Sequence, residues 1–415
     1  MTININKKNI FYTTIFLCNI LFCTAIFSVA LYYIAFLILL VINTNSAKIR
    51  IVDHRLRLIL FSILSILVIS IIHIITVADF ITEIKQVVNR IFFLLNFILL
   101  IQVYRDEEAN RVTGKIIFIF IIALFAYSVF EIFSKVYGFP NLSNYILNNP
   151  SFPREVKIKP YSLDDIRLYL LWSEPSFSSY VVIGLWIYVI LNKYIYSSVR
   201  YRLILLLLSL LIILTFARSA IIPVVLILFF HNLLKYRQIH IFFTKYQVLA
   251  YLTVFIIVSY LQYIFLSRDP GSSFDFSFIS RSNSMIIGYK IFLDNFISGI
   301  GYNNFASFSR YYSTDFPMYL DATVSLSSPS AILSESGLLG LFPLSFLLFY
   351  VCGGRSDIRN KLFVIVYIFS YGFFSLDVLY LPVTYFLITI LLNSRSVWEA
   401  KQNTYVFREH IKCQN

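Results

Sequence analysis

A small set of side chains in this sequence has the types needed for chemistry on an anionic, hydroxyl-bearing substrate: Arg167, Glu174, Arg218, Arg281, Lys290, Tyr302 and Glu335. Arginine stays charged and can hold an oxyanion with two parallel N–H donors. A glutamate placed beside a hydroxyl can take its proton. These residues fall in four stretches: "RLYLLWSEPS" (167–176), "TFARSAII" (215–222), "RSNSMIIGYKIFLDNFISGIGYNNF" (281–305) and "SSPSAILSESGLLG" (327–340).

Each stretch also has a purely structural reading. Pro175 fits the first turn of a helix, and Ser173 or Glu174 fits its cap. Arg167 and Arg218 can snorkel to an interface. Lys290 and Asp294 can form an ordinary i,i+4 pair. Gly337 and Gly340 fit close helix packing, and Glu335 fits a first-turn helix charge.

The elements that must position these residues are apolar helices. The chain has 415 residues, of which 59% are hydrophobic and 13% charged, and its mean hydropathy is +0.79. A soluble protein of this length cannot solvate so apolar a surface. Alternating ten-residue strand patterns are absent, so a helical bundle is expected over a β-barrel. The expected fold is all-α: one polytopic membrane domain over 1–415 with about twelve spans. They lie near 9–25, 27–43, 57–77, 88–104, 115–135, 177–194, 201–216, 219–234, 247–266, 329–350, 361–376 and 379–393. A charge at mid-membrane is costly, so Asp377 is placed at a turn, with Pro382, between the last two short helices. Lys7 and Lys8 precede an apolar stretch without a small-x-small cleavage site, so the first segment is expected to stay as an anchor.

Charge placement sets the orientation. With both termini in the cytoplasm, roughly two thirds of the lysines and arginines and one third of the acids fall inside. The net charge of +13 then reflects membrane orientation, and no nucleic-acid partner is needed to explain it. The two longest connections, 136–176 and 267–328, both fall outside, and they hold or border the four stretches. Long connections in compact proteins are functional or disordered. Cys18, Cys23, Cys352 and Cys413 avoid both, so no disulfide framework is expected.

No cofactor is expected. Asp164 and Asp165 alone are a poor ligand set for a hard cation, and no phosphate-cradling nucleotide loop is present.

In this order, the four stretches resemble the O-antigen polymerase and ligase superfamily of bacterial surface-polysaccharide enzymes. Arg167 followed by Glu174-Pro175-Ser176 looks like the arginine and Glu-Pro-Ser signature of Wzy-type polymerases. Thr215 to Ser219 looks like a Thr-x-Ser-Arg-Ser element, with Ala217 in place of serine. Arg281 and the stretch from Tyr289 to Phe305 look like the arginine, helix and Pro-Leu-x-Gly-x-Gly part of the second outer loop. Phe296-Ile297-Ser298 departs from that pattern before Gly299. Glu335 to Gly340 looks like the Glu-x-Gly-Leu-Leu-Gly helix. Leu170 stands where the family commonly has a small residue. The resemblance covers about 165–350.

It implies a glycosyltransferase of the inner membrane, with a GT-C-like fold and a periplasmic active site. It implies undecaprenyl-diphosphate-linked glycans as donor and acceptor, membrane lipid around the chain, and a polysaccharide chain-length regulator as a further partner. Arg218 and Arg281 would hold the diphosphate, with Arg167, Lys290 and Tyr302 as further substrate contacts. Glu174 would be the first candidate base and Glu335 the second, with Asp294 weaker. Tyr161, Trp172, Tyr302, Tyr311 and Tyr312 could pack on sugar faces, although tyrosine and tryptophan also gather at membrane interfaces.

Ligases of this superfamily carry a functional histidine in the second outer loop. Here the histidines are 54, 73, 231, 240 and 410, none in either outer loop, which favours a polymerase over a ligase. A polymerase of capsule or exopolysaccharide is a related alternative. A lipid-linked oligosaccharide flippase is the alternative of another class, but it predicts polar residues near the midplane rather than outside.

Overall fold

The computed structural model describes residues 2–26, 29–45, 65–68, 73, 80–104, 107–137, 168–172, 175–215, 217, 220–266, 276–302, 304–312, 328–340, 357–374 and 381–394. Among them the fold is all-α. In chain order the helices are α1 (Thr2–Ile20), α2 (Leu31–Asn45), α3 (Phe80–Val103), α4 (Glu107–Tyr137), α5 (Pro175–Leu191), α6 (Ser198–Leu214) and α7 (Ile221–Leu233). They continue with α8 (Arg237–Lys245), α9 (Gln247–Leu266), α10 (Phe276–Asp294), α11 (Phe305–Tyr312), α12 (Ser328–Ser336), α13 (Ile358–Phe374) and α14 (Pro382–Leu392). A two-residue β pairing, Ala25–Ile26 with Val29–Ala30, turns the chain between α1 and α2.

The core forms around α5, whose apolar residues are buried on every side. A helix that is apolar all round can only be satisfied by neighbours all round. Here those neighbours include α6, α13 and α14. Gly184 lets α14 come close: a Cβ there would lie 2.8 Å from Leu387 Cδ1 and 2.9 Å from the Tyr367 hydroxyl. Tyr180 and Tyr367 stack at 4.6 Å between ring centroids. Their polar tips are satisfied inside the bundle: Tyr367 donates to the Tyr180 carbonyl at 2.6 Å, and Tyr371 donates to Ser179 Oγ at 3.0 Å.

The other end of the bundle is tied by amides. Asn192 Nδ2 donates to Ser394 Oγ at 2.6 Å, Asn360 Nδ2 donates to the Ser394 carbonyl at 2.6 Å, and Tyr188 donates to the Asn110 carbonyl at 2.8 Å.

The periphery carries apolar side chains in the open. Ile119 on α4, Ile213 on α6, Ile221 on α7 and Ile256 on α9 are each more than 60% exposed. Among the described residues α4 alone is long and apolar enough to cross a membrane by itself, and α8 with α9 pass the same test as a pair bent by 97°. The remaining apolar helices searched are shorter, as in Pro175–Leu191, Ile221–Leu233 and Pro382–Leu392.

Two expectations are corrected. The helix expected from 88 begins at Phe80, because polar residues at a helix end do not stop it, so Arg90 lies within α3 rather than at its mouth. Within the connection 267–328, where the resemblance implies a helix, the structure has α10 and α11. The expected single helix over 329–350 is broken: α12 ends at Ser336 and a 3-10 turn, Gly337–Gly340, follows. Gly337 has φ +59°, a left-handed backbone that ends helices and suits glycine. The break expected between the last two helices is present, with Pro382 at the first helical position of α14. Asp377 lies outside the described residues.

Candidate functional site

The third and fourth stretches are joined backbone to backbone. The last carbonyls of a helix have no partner within it. In α12 these carbonyls are capped by the loop after α10: Ile300 N–H donates to the Ser334 carbonyl and Gly301 N–H to the Glu335 carbonyl, both at 2.9 Å. The exchange runs back too, with Leu338 N–H donating to the Phe296 carbonyl at 3.0 Å and Leu339 N–H to the Ile297 carbonyl at 3.2 Å. Two glycines permit this approach. A Cβ on Gly299, whose φ is +69°, would lie 2.4 Å from the Glu335 carbonyl carbon, and one on Gly337 would lie 2.4 Å from the Ile297 carbonyl oxygen.

This zipper carries Glu335 and Tyr302 to Arg90 of α3. Arg90 Nη2 donates to Glu335 Oε2 at 2.6 Å, with the two side chains only 13% and 11% exposed. The guanidinium carbon lies 3.6 Å from the centre of the Tyr302 ring. Burial pushes the Tyr302 hydroxyl above its ordinary range; the Arg90 charge opposes this and the Glu335 charge adds to it. Tyr302 therefore offers no open face to a sugar in this structure. Arg90 had no motif to mark it. A cation at the head of the apolar run that begins at Ile91 was the available signal, and it reads equally as an ordinary interfacial charge.

The first and second stretches also meet. Leu168 N–H donates to the Leu214 carbonyl at 3.2 Å, next to Thr215, which closes α6. Glu131, fully buried on α4, anchors the same segment. Its two carboxylate oxygens accept the N–H groups of Tyr169 at 3.0 Å and Leu170 at 2.8 Å, and Lys135 pairs with it at 3.2 Å. Leu170 has φ +52°, a conformation that favours a residue without a Cβ. That explains why a small residue suits the position. Leucine is held there by the two bonds to Glu131 and by full burial of its side chain. Glu131 was not marked by any motif either; its i,i+4 spacing from Lys135 reads as an ordinary helix pair.

The remaining candidates divide as follows. Arg167, Glu174, Arg218, Asp164, Asp165 and Tyr161 lie outside the described residues, and Arg281 is described only as backbone in α10. Lys290 is half-buried on α10. Asp294 accepts a hydrogen bond from Tyr312. Trp172 is fully buried and donates to the Ile20 carbonyl at 2.9 Å, so it anchors the loop to α1 rather than presenting a stacking face. Tyr311 is open.

Histidine requires a correction. None lies in the second loop in sequence, but one lies against it in space. His73 is buried, and its Nε2 is 2.9 Å from the Ser298 carbonyl oxygen, so that nitrogen carries the proton. Among the described residues no group of histidine, cysteine and carboxylate side chains is arranged to hold a metal.

No protein-family model matches the chain, and a search of curated proteins found no match.

Proposed function

We propose that this chain is a polysaccharide polymerase of the bacterial inner membrane, with about twelve spans, both termini in the cytoplasm and its site on the periplasmic face. The observation that carries this reading is the zipper between Phe296–Gly301 and Ser334–Leu339, which gathers two distant motif stretches and Arg90. The open apolar faces of α4, α6, α7 and α9 support a lipid surround.

In this reading the donor is a growing glycan on undecaprenyl diphosphate, and the acceptor is one repeat unit on the same carrier. The acceptor hydroxyl oxygen bonds to the donor's anomeric carbon. The bond from that carbon to the diphosphate oxygen breaks, and undecaprenyl diphosphate leaves with the electron pair. Negative charge grows on the leaving group, so fixed cations beside it lower the barrier. Arg218 and Arg281 take that role, with Arg167 as a third donor. The hydroxyl proton passes to a carboxylate, Glu174 first and Glu335 second. Arg90 holds Glu335 in place and lends it a compensating charge.

Deletion of the gene in its host, followed by electrophoresis of surface lipopolysaccharide, tests the reading. The expected result is collapse of the ladder to core plus one repeat. Wild type restores the ladder and a well-expressed Arg218→Ala does not. An unchanged ladder overturns the O-antigen reading and points to capsule or another exported glycan. A ligase is the second reading, favoured by His73 at the second loop. Loss of even the single repeat, with polymer retained on its lipid carrier, would establish it. A flippase would instead leave repeat units unavailable outside.

A further inference from the structure

The corner between α8 and α9 has features that the glycan chemistry does not use. The two helices meet at 97°. Helix α8 buries no residue completely. Ile239 and Phe243 turn toward the bundle, where Phe243 packs edge-on to Phe230 at 6.3 Å. His240 Nε2 lies 3.1 Å from Asp357 Oδ1. These contacts hold α8 sideways across the end of α7 and α13.

Its outer side combines bare aromatic and basic groups. Tyr236 is 67%, Phe242 47% and Tyr246 46% exposed. The Phe242 and Tyr246 rings lie 5.0 Å apart, and Lys245 Nζ lies 5.4 Å from the Tyr246 ring centre. Lys235, Arg237 and Lys245 are exposed on the same short stretch, and no acidic residue occurs from 235 to 252. At the corner is a hollow of about 520 Å³ lined by Thr244, Lys245, Tyr246, Gln247, Val248, Leu249 and Leu252. One end of it is cationic and hydrogen-bonding, and the other is aliphatic. Leu249 and Leu252 are exposed and continue the open face of α9 that includes Ile256.

We propose that this corner is a binding site for an anionic phospholipid of the cytoplasmic leaflet. The lipid phosphate sits on Lys245 with Gln247 beside it, and an acyl chain runs along Val248, Leu249 and Leu252. Arg237 and Lys235 extend the positive field along α8, which lies in the plane of the interface with Phe242 and Tyr246 at the depth of the headgroups. A helix with an apolar side, a basic side and interfacial aromatics takes this position in a bilayer. Each basic residue near an anionic leaflet adds to the attraction. A net-neutral lipid lacks the excess charge that the three cations select. The inference rests on the membrane part of the proposed function and not on its glycan chemistry.

The test uses the full chain reconstituted in vesicles of phosphatidylglycerol and phosphatidylcholine. Spin-labelled phosphatidylglycerol should associate with the protein several-fold more than spin-labelled phosphatidylcholine. The preference should fall at least twofold in the triple variant Lys235→Gln, Arg237→Gln, Lys245→Gln, whose altered side chains are all on the surface. An undiminished preference overturns the site, as does the absence of any preference in the wild type. A second measurement places nitroxides at Phe242→Cys, Arg237→Cys and Ile256→Cys in a background with the native cysteines replaced by alanine. The label at 242 should be more accessible to oxygen than to a water-soluble nickel chelate, with the reverse at 237. A label at 256 buried in lipid with 242 in water overturns the corner site alone. Labels at 242 and 256 both in water overturn the membrane reading with it.

Discussion

Arg90 and Glu335 stand 245 positions apart in the chain, and their side chains meet at 2.6 Å under the ring of Tyr302. Both are largely sequestered from solvent, so each needs the other. Removing one partner of such a buried pair costs about 3–5 kcal/mol, because the other loses the counter-charge beside it. Arg90→Met and Glu335→Leu should each lower the melting temperature of the purified protein, and the double variant should lose less than the two single losses added. A coupling of about 1–3 kcal/mol is expected for groups in direct contact. Strict additivity in that cycle would show that the contact contributes nothing.

The glycines of the zipper should resist change for a different reason. A Cβ at Gly299 or Gly337 would penetrate main chain rather than a side-chain tip that can swing away, and both residues have left-handed φ. Gly299→Ala and Gly337→Ala should therefore each reduce the folded yield. Gly184→Ala meets Leu387 and Tyr367 side chains and should be tolerated better. Equal behaviour of all three in a fluorescence-detected size-exclusion profile would contradict the backbone-contact argument.

Glu131 sets the path of the segment that leads to Pro175. In Glu131→Gln one acceptor oxygen becomes a donor facing a buried N–H of Tyr169 or Leu170. Leaving such a group unsatisfied costs about 1–3 kcal/mol. Limited proteolysis should cut near 168–172 faster in the variant while the rest of the chain stays intact. Cutting at the wild-type rate would mean that the carboxylate does not hold the loop.

Tyr302 supplies a pH signature. Its folded-state pKa is raised, chiefly by burial, so the folded chain holds the proton where the unfolded chain has lost it. Its contribution is fully present below the unfolded tyrosine value, near 10. That contribution is lost as the pH climbs through the raised value. Spectrophotometric titration of wild type against Tyr302→Phe should show the missing phenolate signal only on the alkaline side of that ordinary value. A difference appearing at or below it would place Tyr302 in water.

Much of the architecture was legible from residue types alone. Helix requires only local periodic and apolar sequence, so α9 falls at 247–266 as expected, and Pro382 marks the start of α14 because its ring cannot sit deeper in a helix. The motif stretches were also visible, because the glycines and charges that mark them are rare against an apolar background.

What only the tertiary structure decided is which of those residues touch. Ordinary helix signals hid Arg90 and Glu131, since a side chain's partner across the bundle leaves no trace in its own neighbourhood. Gly337 read as close packing, and it does pack against Ile297; that it also ends a helix lies in a backbone angle accompanied by Leu338 and Leu339 donating to another segment. His73 read as irrelevant to the second loop until folding set it against Ser298. Local sequence determines which elements form. Their long-range pairing depends on shape and hydrogen-bond satisfaction between segments hundreds of residues apart, and those exist only once the chain has closed on itself.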